Sequence, residues 1–250
     1  MTLEVHLFAY NEAHMIGYAL RHWATLGAEV VVHDAFSNDG TREIAGDAGA
    51  KVVDWDTGGQ VNDLLLKRAK SECWHGTKAF WVAVVDADEL LWPCDGVGAF
   101  HEWDVRAVAV VRPHGWEMTA EKFPTRPGQI YEQVKDGAPD DYWFSKPVLF
   151  SPRRVRAMEF GAGAHDATVE YADGRRERFT RDEPFTYPPC YLLHFHHVGP
   201  VAWIAARYDE HIARSAPINR RMRWGDFRPG LETATEKRHE ILARLERVLP

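Results

Sequence analysis

The run Trp81-Val82-Ala83-Val84-Val85-Asp86-Ala87-Asp88-Glu89 ends an apolar stretch with three carboxylates in four positions. Its five mostly apolar residues, closing on two valines, read as a strand buried on both faces. Carboxylates crowded at the mouth of such a strand repel one another and lose hydration, so packing gains nothing from them. A hard cation removes that penalty. Oxygen-only carboxylate ligation selects Mg²⁺ or Mn²⁺, ions that keep coordination positions open for substrate phosphates. The competing reading is a solvated loop after a strand, which needs no ligand.

The elements that must position these groups alternate. Strands are predicted over 5–9, 29–33, 51–55 and 80–85, and helices over 12–26, 41–48 and 61–73. The first helix carries Ile16, Leu20, Trp23 and Ala24 at helical spacing and closes at Gly27. Such alternation predicts right-handed crossovers and a parallel sheet. After residue 95 the pattern changes. Strands are expected over 105–111, 143–150, 155–158 and 191–196, with a Pro/Gly-rich stretch over 113–128 and an irregular loop over 135–141. Segments 168–171 and 176–179 flank an Asp173-Gly174 hairpin signal. Helices over 201–214 and 231–248 finish the chain, joined by a basic loop at Arg220-Arg221-Met222-Arg223. The expected fold class is α/β, with a nucleotide-binding half over 1–95 and a more antiparallel, acceptor-binding half over 96–250. No linker divides them, so one domain over 1–250 is expected.

The 250 residues suffice for an ample core, and a charged content of 27% is ordinary for a globular chain. A net charge of −7 argues against nucleic acid as the main partner, so an anionic substrate must be held by local cations or a metal. Cys73, Cys94 and Cys190 are odd in number and widely spaced, which reads as reduced thiols rather than a disulfide or zinc framework. Without a signal-like start or a long apolar run, a cytoplasmic chain with no transmembrane segment is expected.

Ligands of open α/β sheets bind beyond the carboxyl ends of the strands. Three polar clusters fall there: Tyr10-Asn11-Glu12 after the first strand, Asp34 with Ser37 to Thr41 after the second, and Asp86 with Asp88 after the fourth. Each has a plainer role available. Asn11 can cap a helix, and Asp39-Gly40-Thr41 reads more readily as a structural turn than as a ligand site. Asp34, ending a Val-Val-Val strand, has no packing reason to be there.

As a set, Ala9-Tyr10-Asn11-Glu12, Asp34-x-x-Ser37-x-Asp39-Gly40-Thr41 and Asp86-Ala87-Asp88-Glu89 resemble the family-2-like glycosyltransferases of the GT-A fold, in the branch whose metal motif extends to Asp-x-Asp-Glu. Gln60 and Asn62, Ser145-Lys146-Pro147-Val148, His165, Leu193-His194-Phe195 and Ala206-Arg207-Tyr208 fit the same pattern in order. The resemblance implies a GT-A-like mixed sheet and transfer from a nucleotide-diphosphate sugar, a UDP-sugar first among donors, to a small-molecule or glycan acceptor with inversion. Tyr10, Asn11, Glu12, Asp34, Gln60, Asn62 and Asp86 would line the nucleotide pocket. Asp86, Asp88 and His194 would hold Mn²⁺ or Mg²⁺ against the diphosphate, neutralising charge on the leaving group.

Two departures stand out. Phe36 occupies a position where related sequences place a small polar residue. The segment His194-Phe195-His196-His197 is unusually rich in histidine, and strand alternation puts His194 and His196 on one face with His197 opposite. His196 is therefore the second candidate for the metal contact. For the base that an inverting enzyme needs, Asp166 is the first candidate and Glu117 the second. Lys146 and the Arg220 to Arg223 cluster are possible phosphate contacts. Competing functions are a nucleotidyltransferase, a metal-dependent hydrolase or oxygenase on His194 and His196, and a non-catalytic sugar-nucleotide binding module. The first is disfavoured because Phe8-Ala9-Tyr10-Asn11-Glu12 offers no glycine for a phosphate loop.

Overall fold

The structure is a computed structural model and describes residues 1–180, 182–225 and 227–249. Its first part alternates as the periodicity predicts: β1 (Leu3–Ala9), α1 (Ile16–Thr25), β2 (Ala28–Asp34), α2 (Thr41–Asp47), β3 (Lys51–Asp54), α3 (Asp63–Glu72) and β4 (Trp81–Asp86). These four strands are parallel in the order β3-β2-β1-β4. Leu3, Val5, Leu7 and Ala9 of β1 pack into one apolar core with Trp23 and Val85, while Phe8 joins Val82, Val84 and Phe150 in a second core across the sheet. Both faces are covered, which is why the strands read as nearly unbroken apolar runs. Register pairs Ala9 with Asp34, Asp34 with Asp54 and Phe8 with Asp86, so the polar strand ends share one edge.

Beyond β4 the chain changes sheets. The next elements are β5 (Glu89–Pro93), α4 (Gly98–Val105), β6 (Val110–Val111), β7 (His114–Ala120), β8 (Asp136–Pro139), α5 (Asp141–Phe144) and β9 (Leu149–Phe150). They are followed by β10 (Val155–Phe160), β11 (Ala167–Tyr171), β12 (Arg176–Phe179), β13 (Cys190–Val198), α6 (Val201–Arg214), α7 (Pro217–Met222), α8 (Gly230–Leu242) and β14 (Glu246–Arg247). The strand β9 extends the first sheet antiparallel to β4, and β6 follows antiparallel to β9. A second sheet runs β14-β8-β7-β13-β5, and β10-β11-β12 form a third through the expected hairpin, where Gly174 takes φ +87. The architecture is the mixed α/β class expected from the sequence.

Several local expectations need correction. The strand expected over 105–111 is the end of α4 followed by a two-residue strand, and that over 143–150 is the last two residues of α5, an irregular stretch and a two-residue β9. The loop expected over 135–141 contains β8, and the Pro/Gly-rich stretch hides β7. Gly115 explains the last miss. A Cβ there would lie 2.5 Å from the Asp140 carbonyl oxygen and 2.6 Å from the Phe144 carbonyl carbon. The glycine serves a close approach of α5 to β7 rather than a turn. Nor do the sheets divide at residue 95: β5 belongs to the second, β6 and β9 to the first. Leu90, Leu91, Leu192 and Leu193 of the second sheet share one apolar core with Leu7 and Val85 of the first.

Candidate metal and nucleotide site

The Asp86-Ala87-Asp88-Glu89 run is the crossing from sheet to sheet, and its three acids point to three different partners. Asp86, the last residue of β4, pairs with the buried Lys70 ammonium of α3 at 2.7 Å. Asp88 lies in the turn, where its carbonyl accepts from Phe195 N–H of β13 at 2.8 Å. Its carboxylate Oδ2 sits 3.3 Å from His196 Nδ1 and 3.5 Å from His194 Nε2. Glu89 opens β5 at 1% exposure; it accepts from Lys146 Nζ at 2.5 Å and from the Asp86 N–H at 3.0 Å.

Pairing across the second sheet brings the histidines to this turn. His194 of β13 lies between Glu89 of β5 and Glu117 of β7 in register. The Glu117 carboxylate meets His194 Nδ1 at 2.8 Å, fixing the ring through one nitrogen and leaving the other towards Asp88. Past His194 the β13–β7 register slips, because three residues of β13 span two of β7. Bulges of this kind re-aim side chains. The rings of His194 and His196 are parallel, with centroids 5.7 Å apart. His197, expected on the opposite face, is buried against the Tyr208 hydroxyl at 3.2 Å and borders the same cavity, since the bulge breaks the alternation. Donor atoms of Asp88, His194 and His196 lie within 4.8 Å of one another, which is metal-ligand spacing.

The charges fit a cation there. Burial would raise the Asp88 carboxyl, but His194, His196 and Arg207 outweigh it and hold the group far below the carboxylate range. Burial would likewise lower His194, but Glu117 and Asp88 push it up to about 9. The imidazolium thus stands where positive charge is demanded. For Glu89, the opposing cations Lys146 and Lys70 overcome burial and bring it to about 2. Four carboxylates (Asp86, Asp88, Glu89, Glu117) meet two lysines (Lys70, Lys146), and Glu117 Oε1 is buried without a hydrogen-bond partner. Two imidazoles with one carboxylate suit Mn²⁺ and also Fe²⁺.

The edge formed by β1 and β2 is tightly braced. The Asn11 N–H donates to Ser37 Oγ, Glu12 N–H to Thr41 Oγ1 and Ala13 N–H to Asp39 Oδ2, at 2.8 to 3.0 Å. The Ser37 to Thr41 turn is therefore a brace for the Tyr10 to Ala13 segment. Glu12 is bound by Arg207 of α6, and burial nevertheless pushes its carboxyl up to about 8. The Tyr10 ring carries the Arg214 guanidinium at 3.3 Å from its centroid. Asp34 is fully buried; Oδ1 accepts from Arg42 at 2.8 Å and from Ser37 N–H at 3.0 Å, while Oδ2 has no partner. Asn62 caps α3 by accepting from Leu64 and Leu65 N–H groups. Gln60 is exposed in the loop before that cap, next to the Val61–Ser215 bridge. Phe36, half-exposed beside Asp34, holds the left-handed φ of +60 that bulky residues rarely adopt.

A cavity of about 730 Å³ opens over Glu117, Asp140, Trp143, Phe144, His194 and His196, a size suited to a nucleotide-sugar moiety or a small acceptor. Asp166 is not among its lining residues. It directly precedes β11 and is bound by Arg178. Lys146, a candidate for phosphate, is buried and spent on Glu89. Two residues went unassigned in the sequence. Lys70 follows Leu66 by one helical turn on the covered stripe of α3, and Arg207 follows Ile204 by three on α6. A cation on an apolar stripe is the signal that would have found both.

No family model matches the chain, and no curated protein matches it. Among solved structures, glucosyl-3-phosphoglycerate synthase from Mycobacterium tuberculosis, in complex with Mn²⁺, UDP and glucosyl-3-phosphoglycerate, matches at 25% identity and TM-score 0.29, over 36% of this chain and 34% of that one. The same enzyme with Mn²⁺, UDP-glucose and phosphoglyceric acid matches at 24% identity and TM-score 0.27, with the same coverage. Its complex with Mg²⁺ and UDP is equally similar, at 24% identity and TM-score 0.27 over 36% and 34%. The chain therefore spans about a third of the length of the structures it matches. A likeness of this extent identifies neither an activity nor a ligand for the present chain.

Proposed function

We propose that the chain is a metal-dependent glycosyltransferase of GT-A type, acting as one domain on a nucleotide-diphosphate sugar, with a UDP-sugar as the first candidate donor. The observation that carries this reading is the convergence of Asp88, His194 and His196 beside a large cavity, at the carboxyl edge of a parallel sheet ordered β3-β2-β1-β4. Asp88, His194 and His196 would hold Mn²⁺ or Mg²⁺, which when bound neutralises the diphosphate leaving group. Asp86, bridged to Lys70, is the inner support of that turn and would contact the nucleotide from there. Tyr10, Asn11, Glu12 and Asp34 form the braced edge for the nucleoside, with Gln60 and Asn62 at its side. Phe36 offers an exposed ring to a base.

In the reaction the bond from the anomeric carbon to the diphosphate oxygen breaks and a bond to the acceptor oxygen forms, with the acceptor proton passing to a carboxylate. Glu117 is committed to His194. Asp140 lines the same cavity, and burial raises its carboxyl, which suits a base better than the Arg178-bound Asp166. Inversion follows if the acceptor oxygen, losing its proton to that base, attacks the anomeric carbon on the face opposite the leaving diphosphate. The acceptor, small molecule or glycan, would stack on the exposed Trp143.

A second reading has its own support. The same Asp88, His194 and His196 set is the two-histidine, one-carboxylate arrangement used by iron-dependent oxygenases and by hydrolases. A nucleotide-sugar panel with Mn²⁺ separates the two. Release of nucleoside diphosphate from one donor, lost in Asp88→Ala, supports the transferase. Iron retained through purification, with no response to any donor, supports the alternative.

A further inference from the structure

On the sheet face away from α1, β1 presents Glu4, His6 and Phe8 in alternation, and β2 presents His33 beside them. The end of α3 brings Cys73 over the same patch. His6 Nδ1 and His33 Nε2 are 2.9 Å apart, and ligand atoms of His6, His33 and Cys73 all lie within 4.8 Å of one another. The other nitrogen of His6 is held by the Glu4 carboxylate at 2.8 Å. A cavity of about 310 Å³, also lined by Lys51 and His75, leaves room above them.

We propose that His6 Nδ1, His33 Nε2 and Cys73 Sγ form a second metal site, for a borderline-soft divalent cation of the zinc type, independent of the edge site and of the activity proposed for it. Imidazole and thiolate donors select such ions over Mg²⁺ or Mn²⁺. The carboxylate–histidine pair from Glu4 is the outer-sphere arrangement that orients a ligating imidazole and raises its basicity. An ion bonded at about 2.0–2.1 Å to nitrogen and about 2.3 Å to sulfur needs the two nitrogens to part by only a few tenths of an ångström. It would replace the proton now shared between the rings and displace the thiol proton to solvent. Water would complete the coordination in the adjoining cavity. The ion would tie α3 to β1 and β2, and α3 is the helix whose Lys70 braces Asp86.

The test is titration of the reduced, metal-free full chain with Co²⁺, read by near-ultraviolet thiolate-to-cobalt absorption, then displacement by Zn²⁺. One equivalent is expected to develop the band in the native chain and equally in Asp88→Ala. Cys73→Ser should abolish it, and Glu4→Gln, at a part-exposed position, should weaken the affinity about 10- to 100-fold. Absence of the band from the native chain overturns the proposal. So does a band of equal strength in Cys73→Ser, which would place the thiolate at Cys94 or Cys190. Far-ultraviolet circular dichroism verifies that each variant is folded. If Cys73→Ser is not, the native and Glu4→Gln titrations decide the matter.

Discussion

Two histidine pairs sit on one scaffold, and their surroundings tune His194 of one and His33 of the other in opposite directions. At the sheet edge, His194 and His196 share an oxygen donor, Asp88, beside a cavity of about 730 Å³. On the sheet face, His6 and His33 share a sulfur donor, Cys73, beside a cavity of about 310 Å³. Carboxylates push His194 up to about 9, whereas burial pushes His33 down to about 4. Imidazole alone does not decide what a site binds. The edge pair is ringed by acids and opens onto space for a substrate, which suits a hard ion sharing its coordination with phosphate. The face pair is braced by one carboxylate under a helix end, which suits an ion held for structure.

The comparison breaks or sharpens by substitution. The largest effect is expected from Asp88→Ala, which should lower transfer by about a hundred- to a thousandfold, the range seen when one charge-stabilising group is removed, while leaving cobalt binding at the face unchanged. Next is Lys146→Met, which leaves the buried Glu89 without its cation. Loss of one partner of a buried pair costs about 3–5 kcal/mol, and a denaturant melt should show it. Should Lys146→Met cost less than about 1 kcal/mol, the supporting layer under the edge site is not an electrostatic one.

A smaller effect follows from pH. The folded His194 value of about 9 lies above the unfolded value of about 6.5, so in the metal-free protein its imidazolium adds stability fully below 6.5, lost as pH rises through 9. A cation must displace that proton. Apparent Mn²⁺ affinity should therefore rise about tenfold per pH unit up to about 9, measured by calorimetry with proton-release correction. A flat profile would remove His194 from the ligands. The smallest effects test residues outside the edge site. Both Asp166→Asn and Cys73→Ser should leave transfer within about twofold of the native rate, as substitutions away from a reacting centre do. A large loss in Asp166→Asn would restore it as the base.

The parallel strands and their acidic edge were legible because both faces of that sheet are covered, so burial wrote unbroken apolar runs ending in Asp34 and Asp86. The shared face of His194 and His196 was legible from strand alternation alone. Other parts were masked by chemistry serving two ends. Gly115 and Pro113 look like a turn, yet the glycine admits α5 against β7, and so the strand that carries Glu117 was hidden. Glu89 looks like a continuation of the metal motif, but it starts a new strand and binds Lys146. Its role depends on a residue 57 positions away, which no local pattern encodes. Glu4 and His6 alternate visibly, yet only the return of α3 at Cys73 gives that alternation a meaning.

The most direct test of the central claim is calorimetric titration of UDP into the metal-free chain and into the Mn²⁺-loaded chain, repeated with Asp88→Ala. Binding that requires Mn²⁺ and disappears in the variant is the predicted result. Equal binding without the ion or in Asp88→Ala, or no binding of UDP, GDP, CDP or dTDP under any condition, would contradict it.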